Sequence, residues 1–393
     1  MADGDHPAFG DDSNPFANIP MFGEFAKLLA NQGPLNWDAA RQFAALAASD
    51  GQSEPNVDPA VRIQLAELAR ILDLHVRDLT GTDVVFPEVT PVTRGVWAQR
   101  TLEAYRPLFT QLAVSLGTRS PAEGEDDGDP MMAMMAGLSQ MMAPSMMGMA
   151  VGSMVGRMAA RTFGQYDLPV PRNDRSLLVV PANIDGFAAD WSLPADEMRL
   201  WVLAQEMAGH TLFVSDALRD QYAGLVRTYV GAFRPDPNAI AERLSSLEMS
   251  DMADPSQAMQ QLFSDPALLL GAVTSAEQQA LAPQLDAATA AVVGTIDYLV
   301  DSVAVRVIGG DALRIAEAVR RRRVEVSPDD VFVERLLGLQ LTQHTVQRGK
   351  EFAGGVVDRV GEAGLVAMLT KPGALPTPAE LDAPGLWIAR LEL

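Results

Sequence analysis

The residues of this chain whose types and spacing could support metal chemistry lie in one apolar stretch, 201–213, which reads WVLAQEMAGHTLF. Glu206 and His210 are four residues apart, so on a helix their side chains would share one face. Zinc hydrolases use the related spacing H-E-x-x-H, in which two histidines bind Zn²⁺ and the glutamate activates the bound water as a general base. Here the two histidine positions hold Gln205 and Gly209, and only Glu206 matches.

These residue types allow two interpretations. Glutamine is a poor zinc ligand and glycine has no side chain, so zinc is not expected in the usual geometry. In the first interpretation the helix has lost its metal, and Glu206 marks only the position of the general base. In the second, Glu206 and His210, which point about 100° around the helix from the usual ligands, meet a carboxylate from Asp297 or Asp301 and hold zinc at a non-standard site. We favour the first and interpret Asp297 and Asp301 as structural helix acids.

The composition limits what else the chain can do. Its 393 residues carry a net charge of −21 with a pI near 4.5, and such a field repels phosphate backbones, so nucleic-acid binding is not expected. The absence of cysteine excludes disulfides, thiolate metal sites and cysteine nucleophiles. The histidines are His6, His75, His210 and His344. The acidic, polar N-terminus lacks a signal-peptide pattern, so a cytoplasmic location is expected.

Helical periodicity dominates the elements that must position these residues, so we predict a mainly α fold with few short strands. Residues 194–213 form a helix whose acidic first turn suits the helix dipole. Residues 58–81 form another, with Asp58 as its N-cap and Gly81 just past its end. The best strand candidate is Leu177–Val180.

A methionine- and glycine-rich segment, 131–156, contains no charged residue. Pro144 divides it, so we predict a buried helical hairpin over 131–164 and no transmembrane span. Glycines recur every fourth residue, at Gly148, Gly152 and Gly156. This spacing puts them on one helix face, where another helix can approach closely. The alternatives are an oligomer interface or weak membrane association through 131–156.

The predicted organisation has four parts: a disordered tail at 1–15, an N-terminal helical region at 16–116, an acidic flexible loop at 117–130, and a helical core at 131–393. The basic run Arg320–Arg323 is expected to complement the dipole at a helix C-terminus. Given the overall charge, it is not interpreted as a nucleic-acid site.

Several longer stretches resemble those of one protein family. They are NPFANIPMFGEFAKLLANQGPLNWDAARQFA near the N-terminus, GQYDLPVP and LLVVPANIDGF in the centre, RLWVLAQEMAGHTLF at the motif helix, and ERLLGLQLTQHTVQRGKEFAGGVVDRVG and LPTPAELDAPGLWIARL near the C-terminus. From about Asn14 to its end, the chain resembles the actinobacterial zincin-like hydrolases, zinc-dependent metallopeptidases of the DUF2342 group. This resemblance implies a helical, zincin-like fold and a zinc hydrolase.

Residue by residue, the resemblance carries over poorly to the site. Only Glu206 matches H-E-x-x-H, and the place of the family's later acidic ligand falls at Val293. We therefore predict a zincin-like protein that has lost zinc binding, needs no cofactor, and acts as a non-catalytic binding or scaffold protein for an unknown protein partner. The alternative is an active zinc-dependent metallohydrolase with a non-standard site around Glu206 and His210.

Overall fold

The computed structural model describes residues 33–117, 130–172, 176–234, 275–324 and 332–393. The tail predicted at 1–15, the interior of the loop predicted at 117–130, and His6 lie outside these residues. The boundaries of the four predicted parts stay a prediction.

Helices make up most of the described chain, which confirms the prediction of a mainly α fold. The first elements are α1 (Trp37–Ala48), α2 (Pro59–Thr80), β1 (Glu88–Pro91), α3 (Arg94–Ala104), α4 (Arg106–Gly117) and α5 (Pro130–Arg161). Next come β2 (Ser176–Val179), α6 (Pro181–Asp190), α7 (Ala195–Val214), α8 (Asp216–Gly231), α9 (Ala276–Val307) and, after a short 3-10 turn, α10 (Ala312–Val324). The last are α11 (Phe332–Leu336), α12 (Gln343–Val360), α13 (Glu362–Thr370), α14 (Pro378–Asp382) and α15 (Pro384–Leu391).

Helix α2 begins and ends as its sequence predicts. The Asp58 carboxylate accepts a hydrogen bond from the Ala60 N–H at 2.8 Å, and Pro59 occupies the first turn, where a missing N–H costs nothing. At the other end Gly81 adopts φ +60° and donates its N–H to the Arg77 carbonyl at 2.8 Å. Both caps satisfy backbone groups that the helix itself leaves unpaired.

Two short strands, β1 and β2, pair in parallel. Strand β2 confirms the strand predicted at Leu177–Val180, with both ends shifted by one residue toward the N-terminus. Val179 of β2 also forms an antiparallel bridge with Gly164. The turn at 162–167, which connects the end of α5 to the segment before β2, is thereby placed against this small sheet.

One continuous helix, α5, replaces the hairpin predicted over 131–164. Pro144 lies inside this helix, and its carbonyl accepts a hydrogen bond from the Asn36 N–H at 2.9 Å. Helix α1 packs along the glycine face of α5, which holds the helix in one piece past the proline. This face consists of Gly148, Gly152 and Gly156. A Cβ on any of them would lie within 2.5 Å of a backbone oxygen of Asn36, Ala40 or Ala44. This confirms the predicted close approach of another helix to the glycine face, and the helix that approaches is α1 of the same chain.

Helix α9 forms the centre of the fold. Among the described residues it is the one helix long and apolar enough to cross a membrane by length and composition, and 78% of its most apolar window is buried inside the protein. Such burial is typical of a core helix. Helix α12 crosses it at Gly294 and Gly349, where a Cβ on Gly294 would lie 2.0 Å from the Gly349 carbonyl oxygen.

Candidate functional site

The motif helix α7 lies in the protein interior. Its acidic first turn reaches the surface, but every residue from Trp201 to Gly209 is buried. A helix that is buried all round belongs to a core. Gln205 and Glu206, as buried polar residues, must therefore find hydrogen-bond partners inside the protein.

The carboxyl group of Glu206 binds the backbone of the turn before β2. This side chain is 0% exposed. The Gln165 N–H donates to Oε2 at 2.9 Å, and the Tyr166 N–H donates to Oε1 at 3.1 Å and to Oε2 at 3.2 Å. The backbone of Gly164 lies so close that a Cβ there would be 2.3 Å from Cδ of Glu206. Glu206 therefore anchors this turn.

The Tyr166 side chain covers the part of α7 that Gly209 leaves open. A Cβ on Gly209 would lie 2.6 Å from Cγ of Tyr166. The ring stacks on Phe213, with 5.8 Å between centroids, and its hydroxyl oxygen lies 3.5 Å from Nδ1 of His210. A histidine at position 209 has no room unless Tyr166 moves.

Gln205, at the first ligand position of the motif, belongs to a polar cluster around Asp167. Its Nε2 donates to Oδ1 of Asp167 at 2.9 Å. The other carboxylate oxygen, Oδ2, accepts hydrogen bonds from the Thr162 hydroxyl at 3.1 Å and from the Phe163 N–H. Arg322 places a guanidinium nitrogen 3.6 Å from this same oxygen.

The two carboxyl groups at the site have opposite pKa shifts. Burial raises the pKa of Asp167, but the charge of Arg322 and the hydrogen bonds to its oxygens outweigh burial and leave the pKa lowered. Burial, followed by the negative charge of Asp167, raises the pKa of Glu206 well above 4.5, despite the amides that it accepts. Asp167 therefore carries the charge, and the buried carboxyl group of Glu206 gives up its proton less readily than an exposed glutamate does.

The basic run Arg320–Arg323 at the end of α10 supplies much of the charge here, a role that the sequence did not predict. The Arg322 guanidinium lies 3.6 Å from the centre of the Phe163 ring and donates to the backbone carbonyl of Arg161. Arg161 in turn pairs with the buried Glu334. Three of the four arginines are partly buried, whereas Arg321 is exposed, and nothing in the local pattern of the run indicates which distant acids it meets.

The residues of the alternative metal site do not come together as a ligand set. His210 is half-buried beside Phe86, with 5.9 Å between ring centroids, and burial lowers its pKa to about 4. Asp297 and Asp301 each pair with an arginine of the basic run, at 3.1 and 2.5 Å, in accord with structural helix acids. Over the residues that the structure describes, no group of three His, Asp or Glu side chains could hold a metal ion.

The zinc that the motif implies does not fit the residues on α7. Gln205 gives its amide to Asp167, and the space beside Gly209 is filled by the Tyr166 ring. Val293, at the place of the later acidic ligand, is 4% exposed and has no donor atom in its side chain. No zinc-dependent step follows from these side chains.

Comparisons with known proteins found one family whose sequence model matches this chain and one solved structure with a similar fold. The sequence model of the family described as zincin-like metallopeptidase matches residues 35–388. The crystal structure of a "putative hydrolase with a novel fold" from Chloroflexus aurantiacus is similar, with a TM-score of 0.58 and 22% identity over 91% of this chain and 99% of that chain. At that identity the likeness shows the fold alone. No curated protein sequence matches. The finer resemblance to the actinobacterial group stays a prediction, but because the family model spans most of its length, the chain belongs to the zincin-like metallopeptidase family.

Proposed function

We propose that this member of the family has lost zinc binding at α7 and acts as a non-catalytic binding or scaffold protein. One observation carries the proposal: the fully buried carboxyl group of Glu206 is occupied by the backbone amides of Gln165 and Tyr166. A general base must reach the proton that it abstracts directly or through one water. Both oxygens of Glu206 are used by the chain itself, so a substrate has no access to them.

A protein partner in the cytoplasm fits this role better than nucleic acid. The net charge of −21 repels phosphate backbones and favours a partner that carries positive charge.

Metal content tests the proposal. Untagged protein purified without chelator should contain no stoichiometric zinc by elemental analysis, and a calorimetric zinc titration should show no site that depends on α7. His210→Ala removes the one histidine of α7, and the exposed His344→Ala is the matched control. One zinc per chain that is lost in His210→Ala but kept in His344→Ala would overturn the proposal in favour of an active metallohydrolase.

A further inference from the structure

We propose that the turn Gly164–Asp167 is a resident ligand of α7, and that the gap beside Gly209 is the pocket that receives it. The groove on this helix is then closed by a segment of the same chain. The turn can dock only because Gly209 has no side chain. The carboxyl group of Glu206 then serves to anchor the turn.

The first support is the way Tyr166 sits on one face of α7. Its N–H donates to Glu206, its ring lies against Gly209, its hydroxyl is beside His210, and its ring stacks on Phe213. Gly209, His210 and Phe213 follow Glu206 by three, four and seven residues, so all four lie on one helix face. Tyr166 therefore fills a continuous groove.

The second support is that the turn is held on both sides of Tyr166. The Gly164 carbonyl accepts a hydrogen bond from the indole N–H of Trp97 at 3.1 Å, and Trp97 is 0% exposed. Asp167 is held by Gln205 at 2.9 Å and by the charge of Arg322. With both ends fixed, the ring can withdraw from an atom added at position 209 only if some of these contacts break.

This arrangement makes the sign of one substitution diagnostic. Alanine in place of glycine normally stabilises a helix interior, because glycine loses more backbone freedom on folding. At Gly209 the added methyl would instead meet Tyr166 at 2.6 Å, closer than a carbon atom tolerates. Gly209→Ala should therefore destabilise the protein only while the Tyr166 side chain is present.

A double-mutant cycle tests this by urea unfolding. Gly209→Ala should lower the folding equilibrium constant by more than about tenfold in the wild-type background. With Tyr166→Gly already present, it should raise the constant by up to about fivefold. Gly224→Ala should raise it in both backgrounds, because a Cβ added at this position on α8 would have no atom within 4 Å beyond its own stretch of helix backbone. The same sign for Gly209→Ala in both backgrounds would overturn the proposal.

Hydrogen exchange tests the same contact without the Tyr166→Gly variant. In Gly209→Ala the amides of Gln165 and Tyr166 should exchange about tenfold faster relative to those of α12, because the turn no longer docks. In Gly224→Ala they should exchange as in the wild type. Unchanged exchange at both amides in a folded Gly209→Ala protein would refute the docking. Neither readout involves metal, so the result is independent of the zinc measurement.

Discussion

Replacement of Glu206 by glutamine tests whether this carboxyl group holds a proton in the folded protein. Burial and then the charge of Asp167 raise its folded pKa well above 4.5, the value near which it ionises in the unfolded chain. Between those two values the unfolded state binds fewer protons than the folded state. The contribution of Glu206 to stability is therefore full below about pH 4.5 and falls as the pH rises through its folded pKa.

The magnitude has two parts. Glutamine keeps the shape of Glu206 but offers one acceptor oxygen. Placed where Oε2 lies, this oxygen keeps the hydrogen bonds from the Gln165 and Tyr166 amides, and the bond from the Tyr166 N–H to Oε1 is lost. The loss of one hydrogen bond costs about 0.5–1.5 kcal/mol at any pH. The wild-type protein itself loses up to about 1.4 kcal/mol of stability for each pH unit across the window of the Glu206 shift. The variant lacks this loss. The cost of Glu206→Gln should thus be largest at low pH and shrink as the pH rises.

Urea unfolding followed by tryptophan fluorescence, at several values between about pH 5.5 and pH 8, measures the difference between the two proteins. Glu380→Gln is the control. Burial raises the pKa of Glu380, but its bonds with Arg390 and the Thr377 N–H outweigh burial and lower the pKa. The contribution of Glu380 is therefore complete above about pH 4.5, and its cost should be constant over this range. A cost of Glu206→Gln that is constant or grows with pH would refute a neutral Glu206.

Other perturbations test the packing and the charges. Gly152→Ala places a methyl group 2.3 Å from the Ala40 carbonyl oxygen and should cost about 1–3 kcal/mol in urea unfolding, whereas Gly186→Ala, at an open helical position, should stabilise by up to about 1 kcal/mol. Arg322→Met removes the charge beside Asp167 and should cost about 3 kcal/mol or more, seen as a lower urea midpoint at unchanged slope. Salt at about 0.15 M should raise the melting temperature by screening repulsion in a chain of net charge −21, and a lower melting temperature would contradict this.

Local sequence patterns predicted the helix ends and one helix contact well. Asp58 and Gly81 bound α2 because a cap depends on a few adjacent residues. The recurrence of glycine at every fourth residue predicted a closely packed face, because residues three or four apart lie on the same face of any α-helix. The pattern did not say that α1 would be the partner, because an alanine-rich helix carries no mark of the surface that it meets.

Pro144 shows where a local rule was outweighed. A proline inside a helix removes one hydrogen bond and favours a break, which is why a hairpin was predicted. The structure keeps the helix continuous, because the contacts that α1 makes along α5 stabilise the continuous helix in the folded protein. Tertiary contacts of this kind have no signature within the segment itself.

At the site, the sequence located the right helix and the right residue but not its partners. Glu206 was identified by its place in the motif, whereas the amides that it binds lie 40 and 41 residues earlier, in a turn with no metal-binding pattern. The Arg322 side chain comes from a still more distant helix. Which segments dock on a buried carboxyl group depends on the assembled fold, and spacing along the chain does not encode it.

Because α1 packs on α5, it cannot complete its packing during synthesis until α5 has been made. Asn36 and Ser145, which share a hydrogen bond across this contact, are 109 residues apart. At about 5–20 residues per second, a ribosome needs roughly 5–20 s to make α5 after α1. During that interval the alanine face of α1 has no glycine face to cover it. The nascent chain therefore exposes the apolar residues of this 12-residue segment for seconds before its partner helix is made, which is long enough for a chaperone to bind.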